Sequence, residues 1–331
     1  MIDKTKMKIL ITRDWPAPAL PKVAAHFAQA EFRQEDAPMT LDDAIAALQT
    51  YDIVAPTIGD AFAEEAFIQA SRNGIRTKLL ANFGAGYDHI DVDAAAGAGI
   101  WVTNTPGATT MATAEITMTL MLMCARRIVD GQQMLSGPQG WQGWSPTQLM
   151  GMGLNGKTLG IVGMGDIGKE VARKAYLGFG MDIIFYNRTP KAGMQGLIAT
   201  QVGDLNDLCT RADVVSVHMA STPQTRGIIG APQLERIGSQ GILINTARGD
   251  LIDERATRAA LSDGSLGAAG LDVFQGEPAI DPAWFKTPNA TLLPHMGSAT
   301  IETRTAMALQ SFDNMKAFAD GRPLPNPVNT A

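Results

Sequence analysis

The chain has 331 residues, enough for two folded domains, and 45% of them are hydrophobic while 18% are charged. This composition excludes a large disordered region. A formal net charge of -6, with no Lys/Arg run longer than Arg126-Arg127, argues against a nucleic-acid-binding surface.

The first half of the chain alternates between apolar strands and amphipathic helices. Strands are predicted near residues 8–12, 52–54, 78–80 and 100–102, and helices near 18–28, 41–48, 63–70 and 92–98. Such alternation is typical of a parallel sheet covered by helices on both faces. It therefore predicts a first α/β domain.

A longer helix is predicted from about residue 110 to 130, after the Pro106-Gly107 turn signal. Its apolar part, residues 116–125, is short and is closed by two arginines, which favours a buried helix over a membrane span. No apolar stretch of signal-peptide length lies before the first strand. We therefore expect a soluble, cytoplasmic protein.

Residues 131–153 contain six glycines and two tryptophans, Trp141 and Trp144, without a clear period. They are predicted to form an ordered loop or arm. The two indoles either offer a surface to a partner or cover the edge of the core, and the sequence leaves both interpretations open.

Strand and helix patterns then resume, and they predict a second α/β unit. Its strands are predicted near residues 158–162, 182–186, 213–217, 241–245, 267–271 and 290–293, and a long terminal helix near 301–319. The only two cysteines, Cys124 and Cys209, fall in apolar helical patterns. We interpret both as reduced core residues, as expected in the cytosol.

A glycine-rich turn opens the second unit. The apolar strand at 158–162 is followed by Gly163, Gly165 and Gly168, and then by a helical pattern that stops at Gly180. Gly163 suits a tight turn, Gly165 lets the backbone approach a diphosphate, and Gly168 permits close packing of helix on strand. The strand–turn–helix context predicts dinucleotide binding.

The next strand ends in a polar, cationic cluster rather than in the acidic residue that NAD-binding units commonly carry. This cluster runs from Asn187 through Arg188 and Thr189 to Lys191. A guanidinium at Arg188 can pair with the 2′-phosphate of NADP, and Asn187 and Thr189 can donate hydrogen bonds to it. A solvated turn is the alternative, but we expect a preference for NADP(H) over NAD(H).

Three later strands are each followed by a residue suited to catalysis: Arg248, Glu277 and His295. In a parallel sheet the carboxyl ends of the strands face the ligand crevice, so the three side chains are expected to converge there. Arg248 would bind a substrate carboxylate and polarise the adjacent carbonyl. His295 would act as general acid, and Glu277 would favour its charged form.

The chain resembles the D-isomer-specific 2-hydroxyacid dehydrogenases, most closely their glyoxylate/hydroxypyruvate reductase branch. The resemblance covers nearly the whole length. Besides the glycine turn, it rests on motifs at residues 84–91, 104–107, 245–249, 270–278 and 294–300.

The resemblance implies two Rossmann-like, doubly wound parallel-sheet domains. Residues 1–104 and 299–331 would form a flavodoxin-like substrate domain, into which a cofactor domain of residues 105–298 is inserted. Closure of the cleft between the domains would exclude water. The arm at 131–153 would embrace the second subunit of a homodimer, where Trp144 could reach the substrate pocket of the partner.

The resemblance also extends the set of site residues. The backbone N–H groups of Ala85 and Gly86 would hold the substrate carboxylate. Besides the glycine turn and residues 187–189, the cofactor would contact Thr110, Asp166, Ile167, Ala220, Thr246, Ala247, Arg248, Asp272, His295, Gly297 and Ser298. No metal ion is expected.

These observations predict an NADPH-dependent reductase of glyoxylate or hydroxypyruvate. Alternatives within the family are D-lactate-type and bulkier 2-oxoacid dehydrogenases; phosphoglycerate and formate dehydrogenases fit the chain less well. A non-enzymatic, NAD(H)-sensing corepressor could retain the same residues, and an oligomeric scaffold has only the Trp-bearing arm in its favour.

Overall fold

The computed structural model describes residues 6–190 and 196–331. The chain divides into two compact units, one formed by Met1–Thr109 and Ser298–Ala331, and the other by Thr110–Gly297. Each unit contains one fully parallel sheet, which confirms the predicted fold class. Lys191 lies outside the described residues.

The first unit begins with five short strands separated by four helices. In chain order they are β1 (Ile9–Ile11), α1 (Leu20–His26), β2 (Ala30–Phe32), α2 (Leu41–Thr50), β3 (Ile53–Ala55), α3 (Glu64–Ser71), β4 (Leu79–Ala81), α4 (Val92–Gly97) and β5 (Trp101–Thr103). The strand order is β2-β1-β3-β4-β5, as in flavodoxin-like sheets.

The second unit is larger. Its elements are α5 (Thr110–Ala125), α6 (Ile128–Ser136), β6 (Thr158–Val162), α7 (Asp166–Phe179), β7 (Asp182–Tyr186), β8 (Ala199–Val202), α8 (Leu205–Arg211), β9 (Val214–Val217), α9 (Ala231–Ile237), β10 (Ile242–Asn245), α10 (Glu254–Asp263), β11 (Ala268–Leu271) and β12 (Ala290–Leu292). The order β12-β11-β10-β9-β6-β7-β8 places a topological switch point between β6 and β9, where doubly wound folds bind dinucleotides.

Both sheets bury side chains on their two faces. In β6, Ile161 joins the apolar cluster that includes α5 and α7, whereas the next residue, Val162, joins the cluster on the opposite face. In β1, Ile9 and Leu10 likewise belong to opposite clusters. Successive strand residues point to opposite faces, so a two-sided core requires the continuous apolar runs seen in the sequence.

The chain returns to the first unit with α11 (Ile301–Ala319). Its Phe312 packs in the same buried cluster as Ile11 and Phe27. The Ser311 hydroxyl donates a 2.8 Å hydrogen bond to the Ala81 carbonyl at the end of β4. These contacts attach the terminal helix to the sheet of the first unit.

The helix predicted over residues 110–130 is in fact two helices. Arg127 adopts a left-handed conformation, with φ of 51°, and separates α5 from α6. The Ala125 carbonyl at the end of α5 accepts a 2.7 Å bond from the Met152 N–H, so the returning chain caps the helix there. The helical pattern resumes at Ile128, and α6 therefore occupies the first part of the predicted arm.

Two edge strands, β2 and β8, are missing from the sequence prediction because they are short and half polar. Among the described residues, no helix is both long enough and apolar enough to span a membrane.

Candidate active site

The glycine turn joins β6 to α7. Gly163 has a φ of +100°, and a Cβ atom there would lie 2.7 Å from the His218 carbonyl oxygen. A Cβ atom on Gly168 would lie 2.3 Å from the Gly163 carbonyl oxygen. Side chains at these two positions would displace backbone, so both require glycine.

Gly165 differs from the other two glycines because it is exposed and faces open space. A Cβ atom there would have no neighbour within 4 Å, and no side chain caps the start of α7. The uncapped N–H groups at this helix end carry partial positive charge. The turn therefore has the geometry and charge to hold the diphosphate of a dinucleotide. Asp166, which is exposed, and Ile167, which is half-buried, follow directly.

Asn187 ties the end of β7 to the glycine turn. Its Oδ1 accepts a 3.2 Å bond from the Met164 N–H, and its Nδ2 donates to the carbonyl and hydroxyl oxygens of Thr189, at 2.8 and 3.2 Å. Thr189 and the neighbouring Arg188 are exposed. Asn187 therefore shapes the turn that presents Arg188.

Arg248 stands in a turn organised by the last residue of β10. The Asn245 Nδ2 donates to the Arg248 carbonyl at 2.8 Å, and the Asn245 Oδ1 accepts from the Ala247 N–H at 3.0 Å. The half-buried Arg248 guanidinium donates to the Ala247 carbonyl at 2.7 Å. The sequence assigned no role to Asn245, although a buried asparagine before a turn is a recognisable signal.

Asp272 fixes the backbone that carries His295. The His295 N–H donates to the Asp272 carbonyl at 2.9 Å, and the two carboxylate oxygens of Asp272 each accept a 2.8 Å bond, from the N–H groups of Met296 and Gly297. Burial raises the pKa of this carboxyl above its ordinary value, although these N–H groups oppose the shift. His295 itself has a φ of 50°, a strained conformation for a residue with a Cβ atom.

Glu277 and His295 form the central contact of the site. The His295 Nδ1 lies 2.6 Å from the Glu277 Oε2, while the Glu277 Oε1 accepts a 2.6 Å bond from the Phe274 N–H. Both side chains are part-buried. A carboxylate at Nδ1 orients the imidazole and leaves Nε2 as the nitrogen that can exchange a proton with a substrate.

The Arg248 turn lies against the segment that carries Glu277. A Cβ atom on Gly249 would lie 2.1 Å from the carbonyl carbon of Phe274, so the two backbones are in direct contact. The structure thus places Glu277 and His295 in hydrogen-bonding contact and joins Arg248 to them through neighbouring backbone.

The other predicted cofactor residues lie on several elements. The Thr246 hydroxyl lies 2.9 Å from that of Thr117 in α5, and the Gly297 carbonyl accepts a 3.4 Å bond from the Thr113 hydroxyl. The remaining two positions of this unit are Thr110, the first residue of α5, and Ala220, which is exposed beyond the end of β9. Ser298 begins the returning segment of the first unit.

The loop containing Ala85 and Gly86 belongs to the first unit and is held by two asparagines. The buried Asn82 donates from its Nδ2 to the carbonyls of Gly84 and Gly86, at 3.0 and 2.9 Å. The Asn104 Nδ2 donates to the Ala85 carbonyl at 2.8 Å. Sequence reasoning assigned no role to Asn82, the polar residue at the end of an apolar strand.

The arm after α6 exposes apolar side chains. Trp144 is 77% exposed and Trp141 is 53% exposed, and Leu135 and Met150 are also exposed. The Trp141 indole N–H donates to Gln148 at 3.2 Å within the arm.

Over residues 6–190 and 196–331, no group of three or more His, Cys, Asp or Glu side chains could hold a metal ion.

Comparison with known proteins places these features in one family. The family model for the NAD-binding domain of D-isomer-specific 2-hydroxyacid dehydrogenases matches residues 118–297. A glyoxylate reductase of Thermococcus litoralis is 38% identical over 328 residues, which cover 98% of this chain and 97% of that protein. A glycerate dehydrogenase of Hyphomicrobium methylovorum is 37% identical over 320 residues, covering 96% and 97%.

A solved structure of a related reductase is also similar to this chain. An NADPH-dependent glyoxylate/hydroxypyruvate reductase from Sinorhizobium meliloti, in complex with NADP and malonate, superposes with a TM-score of 0.80 at 32% identity; the match covers 98% of this chain and 97% of that one. The chain therefore belongs to the D-isomer-specific 2-hydroxyacid dehydrogenase family of oxidoreductases. Within that family it falls in the glyoxylate reductase branch, as its motifs predicted.

Proposed function

We infer that the protein uses NADPH to reduce small 2-oxoacids, glyoxylate and hydroxypyruvate, to the corresponding 2-hydroxyacids. The observation that carries this inference is the 2.6 Å contact between Glu277 and His295, beside the turn of Arg248, at the carboxyl ends of three adjacent strands. The names of the relatives support the substrate class.

Each of the three residues has a distinct role in this reaction. A nicotinamide cofactor held by the glycine turn would supply the hydride for the carbonyl carbon of the substrate. Protonated His295 donates from Nε2 to the carbonyl oxygen as negative charge develops there. Glu277 stabilises the charged imidazole and holds its ring plane. Arg248 binds the substrate carboxylate and polarises the carbonyl, for which a planar guanidinium is well suited.

The loop at Ala85 and Gly86 supports the role proposed for its N–H groups. In a trans peptide the N–H points opposite to the preceding carbonyl. Because Asn82 and Asn104 hold the carbonyls of Gly84 and Ala85, the N–H groups of Ala85 and Gly86 point away from these asparagines. This arrangement suits the recognition of a carboxylate.

The reaction is tested by following NADPH oxidation with glyoxylate, hydroxypyruvate, pyruvate and a bulkier 2-oxoacid. We expect turnover with the small substrates, and a loss of roughly 100-fold or more in His295→Ala and Arg248→Ala. Cofactor binding without turnover on any 2-oxoacid would instead support a sensor.

The exposed Arg188 beside Thr189 supports a preference for NADPH. Thr189 accepts hydrogen bonds from Asn187, and its own O–H can donate to a 2′-phosphate. We expect Arg188→Ala to lower kcat/KM for NADPH roughly tenfold and to change that for NADH little. Arg255→Ala, which removes an exposed arginine of α10, is the control. Equal kcat/KM values of the wild-type enzyme for NADPH and NADH would refute the preference. Asn187→Asp should shift the ratio of these two values towards NADH.

The apolar arm supports a homodimer in which Trp144 reaches the substrate site of the second copy. Light scattering should give twice the mass of the chain, and Trp144→Ala should raise KM for 2-oxoacids.

The two buried cysteines, which form no disulfide, support a cytoplasmic location.

A further inference from the structure

The segment that carries Glu277 has no regular secondary structure of its own. It follows β11, and its contacts with neighbouring residues define its path. Phe274 packs edge-on against Trp284, with ring centroids 6.3 Å apart, and its N–H donates to Glu277. The next N–H along the chain, that of Gln275, donates to the Oε1 of Glu254 at 2.6 Å.

Glu254 is a buried carboxylate outside the set of residues proposed to touch substrate or cofactor. Only 8% of the residue is exposed. Its Oε2 accepts a 2.9 Å bond from the Trp284 indole N–H and lies 3.7 Å from an Arg258 nitrogen. The Arg258 guanidinium lies 5.2 Å from the Trp284 ring centroid and pairs with Asp281 at 2.8 Å.

Glu254 does not cap its own helix. Although it is the first residue of α10, the cap is Asp253, whose side chain accepts from the Ala256 N–H. Burying a carboxylate is costly unless its oxygens are satisfied, and here hydrogen bonds come from the Glu277 segment and from Trp284. Its bonding therefore serves the loop rather than the helix.

We propose that Glu254 is a positioning residue for the Glu277–His295 pair. It fixes the Gln275 N–H, the adjacent Phe274 N–H fixes Glu277, and Glu277 holds His295. Trp284 and Arg258 hold Glu254 from the other side. The inference rests on the proposed function, because it assigns the pair its part in proton transfer.

Glu254→Gln tests the proposal, because the amide keeps the shape of the side chain but replaces one acceptor with a donor. We expect kcat for glyoxylate reduction to fall roughly 10- to 100-fold while KM for NADPH stays within about twofold. Trp284→Phe removes the indole N–H and part of the buried ring but leaves the Glu254 carboxylate in place, and it should lower kcat less. Glu235→Gln makes the same chemical change at an exposed position of α9 and should leave kcat unchanged.

A double-mutant cycle separates positioning from general damage to the fold. If Glu254 acts through Glu277, Glu254→Gln should lower kcat little further in a Glu277→Gln background. Equal losses in both backgrounds, or no loss in the single variant, would overturn the proposal. If Glu254→Gln does not fold, a cycle that pairs Trp284→Phe with Glu277→Gln tests the same coupling.

Proton NMR gives a readout that needs no turnover. The short Nδ1–H bond of His295 to Glu277 should give a downfield resonance, which His295→Gln identifies among the four histidines of the chain. Glu254→Gln should shift or remove it, and Glu235→Gln should not. A shift in a protein without 2-oxoacid turnover would sustain the positioning role and reject the proposed function. An unchanged resonance in an active enzyme would reject the positioning role and sustain the proposed function.

Discussion

His295 shows how single residues at this site depend on their supports. Its left-handed backbone conformation costs about 1–3 kcal/mol for a residue with a Cβ atom. Asp272 stabilises that conformation, because it accepts hydrogen bonds from the N–H groups of His295 and of the two residues that follow. Strain supported in this way is common at catalytic positions, where it fixes the direction of a side chain.

His218 gives a prediction at the same scale. It lies beyond the end of β9, with Nε2 2.8 Å from the Ser216 hydroxyl, and burial lowers the pKa of its imidazole from 6.5 to about 3. The unfolded chain therefore takes up a proton below pH 6.5 that the folded chain excludes, and stability falls as the pH drops from 6.5 towards 3.

This part of the acid sensitivity should disappear in His218→Gln, which keeps a hydrogen-bonding group near Ser216. The wild-type free energy of unfolding should fall by on the order of 1 kcal/mol more per pH unit than that of the variant. Urea unfolding at several pH values measures the difference. His26→Gln, which makes the same substitution at an exposed histidine, is the matched control. Parallel slopes for wild type and His218→Gln would contradict the prediction.

At the scale of elements, the glycines of the turn meet two different requirements. Gly163 and Gly168 are glycines because backbone atoms occupy the space of a side chain, whereas Gly165 faces open space. At Gly163 the backbone of His218 beyond β9 occupies that space, and at Gly168 the backbone of Gly163 does. The open space at Gly165 fits the proposed approach of a dinucleotide.

Two alanine substitutions in this turn should therefore have different effects. Gly168→Ala must displace the Gly163 carbonyl and should lower the free energy of unfolding by about 1–3 kcal/mol. Gly165→Ala has space and a negative φ, so it should cost at most about 1 kcal/mol, from the weaker helix cap. Its methyl group should nevertheless weaken NADPH binding roughly tenfold or more. Fluorescence titration and urea unfolding measure both effects, and unchanged NADPH affinity in Gly165→Ala would refute the ligand role.

At the scale of the whole molecule, each parallel sheet is buried on both faces, and this burial also protects the two cysteines. Cys124 lies in α5 and Cys209 in α8, and both are buried, which confirms that they are core residues. Burial raises the pKa of each thiol to about 12. The nucleophilic thiolate form is therefore scarce at neutral pH.

Titration with a disulfide reagent at neutral pH should find no rapidly reacting thiol in the native chain and two after denaturation. Rapid reaction of one thiol in the native protein would show that its helix opens locally. Cys124→Ala and Cys209→Ala then identify the reacting position.

The alternation of strands and helices could be predicted from the amino-acid sequence, because periodicity and turn residues act over a few neighbouring positions. The same sequence also allowed further predictions. It placed β6, the glycine turn and α7, and it put Arg248, Glu277 and His295 after three strands. It also predicted the family, because each motif is a contiguous run of residues that can be recognised without the fold. It missed the short edge strands and the break at Arg127, where local propensity is weak or is overridden by the returning chain.

The order of the strands in each sheet, and the contacts between distant side chains, could not be predicted from local patterns. Glu277 and His295 are 18 residues apart, and their contact depends on the adjacency of β11 and β12. Glu254 and Gln275 are 21 residues apart on different elements, and no local pattern marks their bond. Such contacts depend on the strand order and on packing across the sheet, which are properties of the whole folded unit.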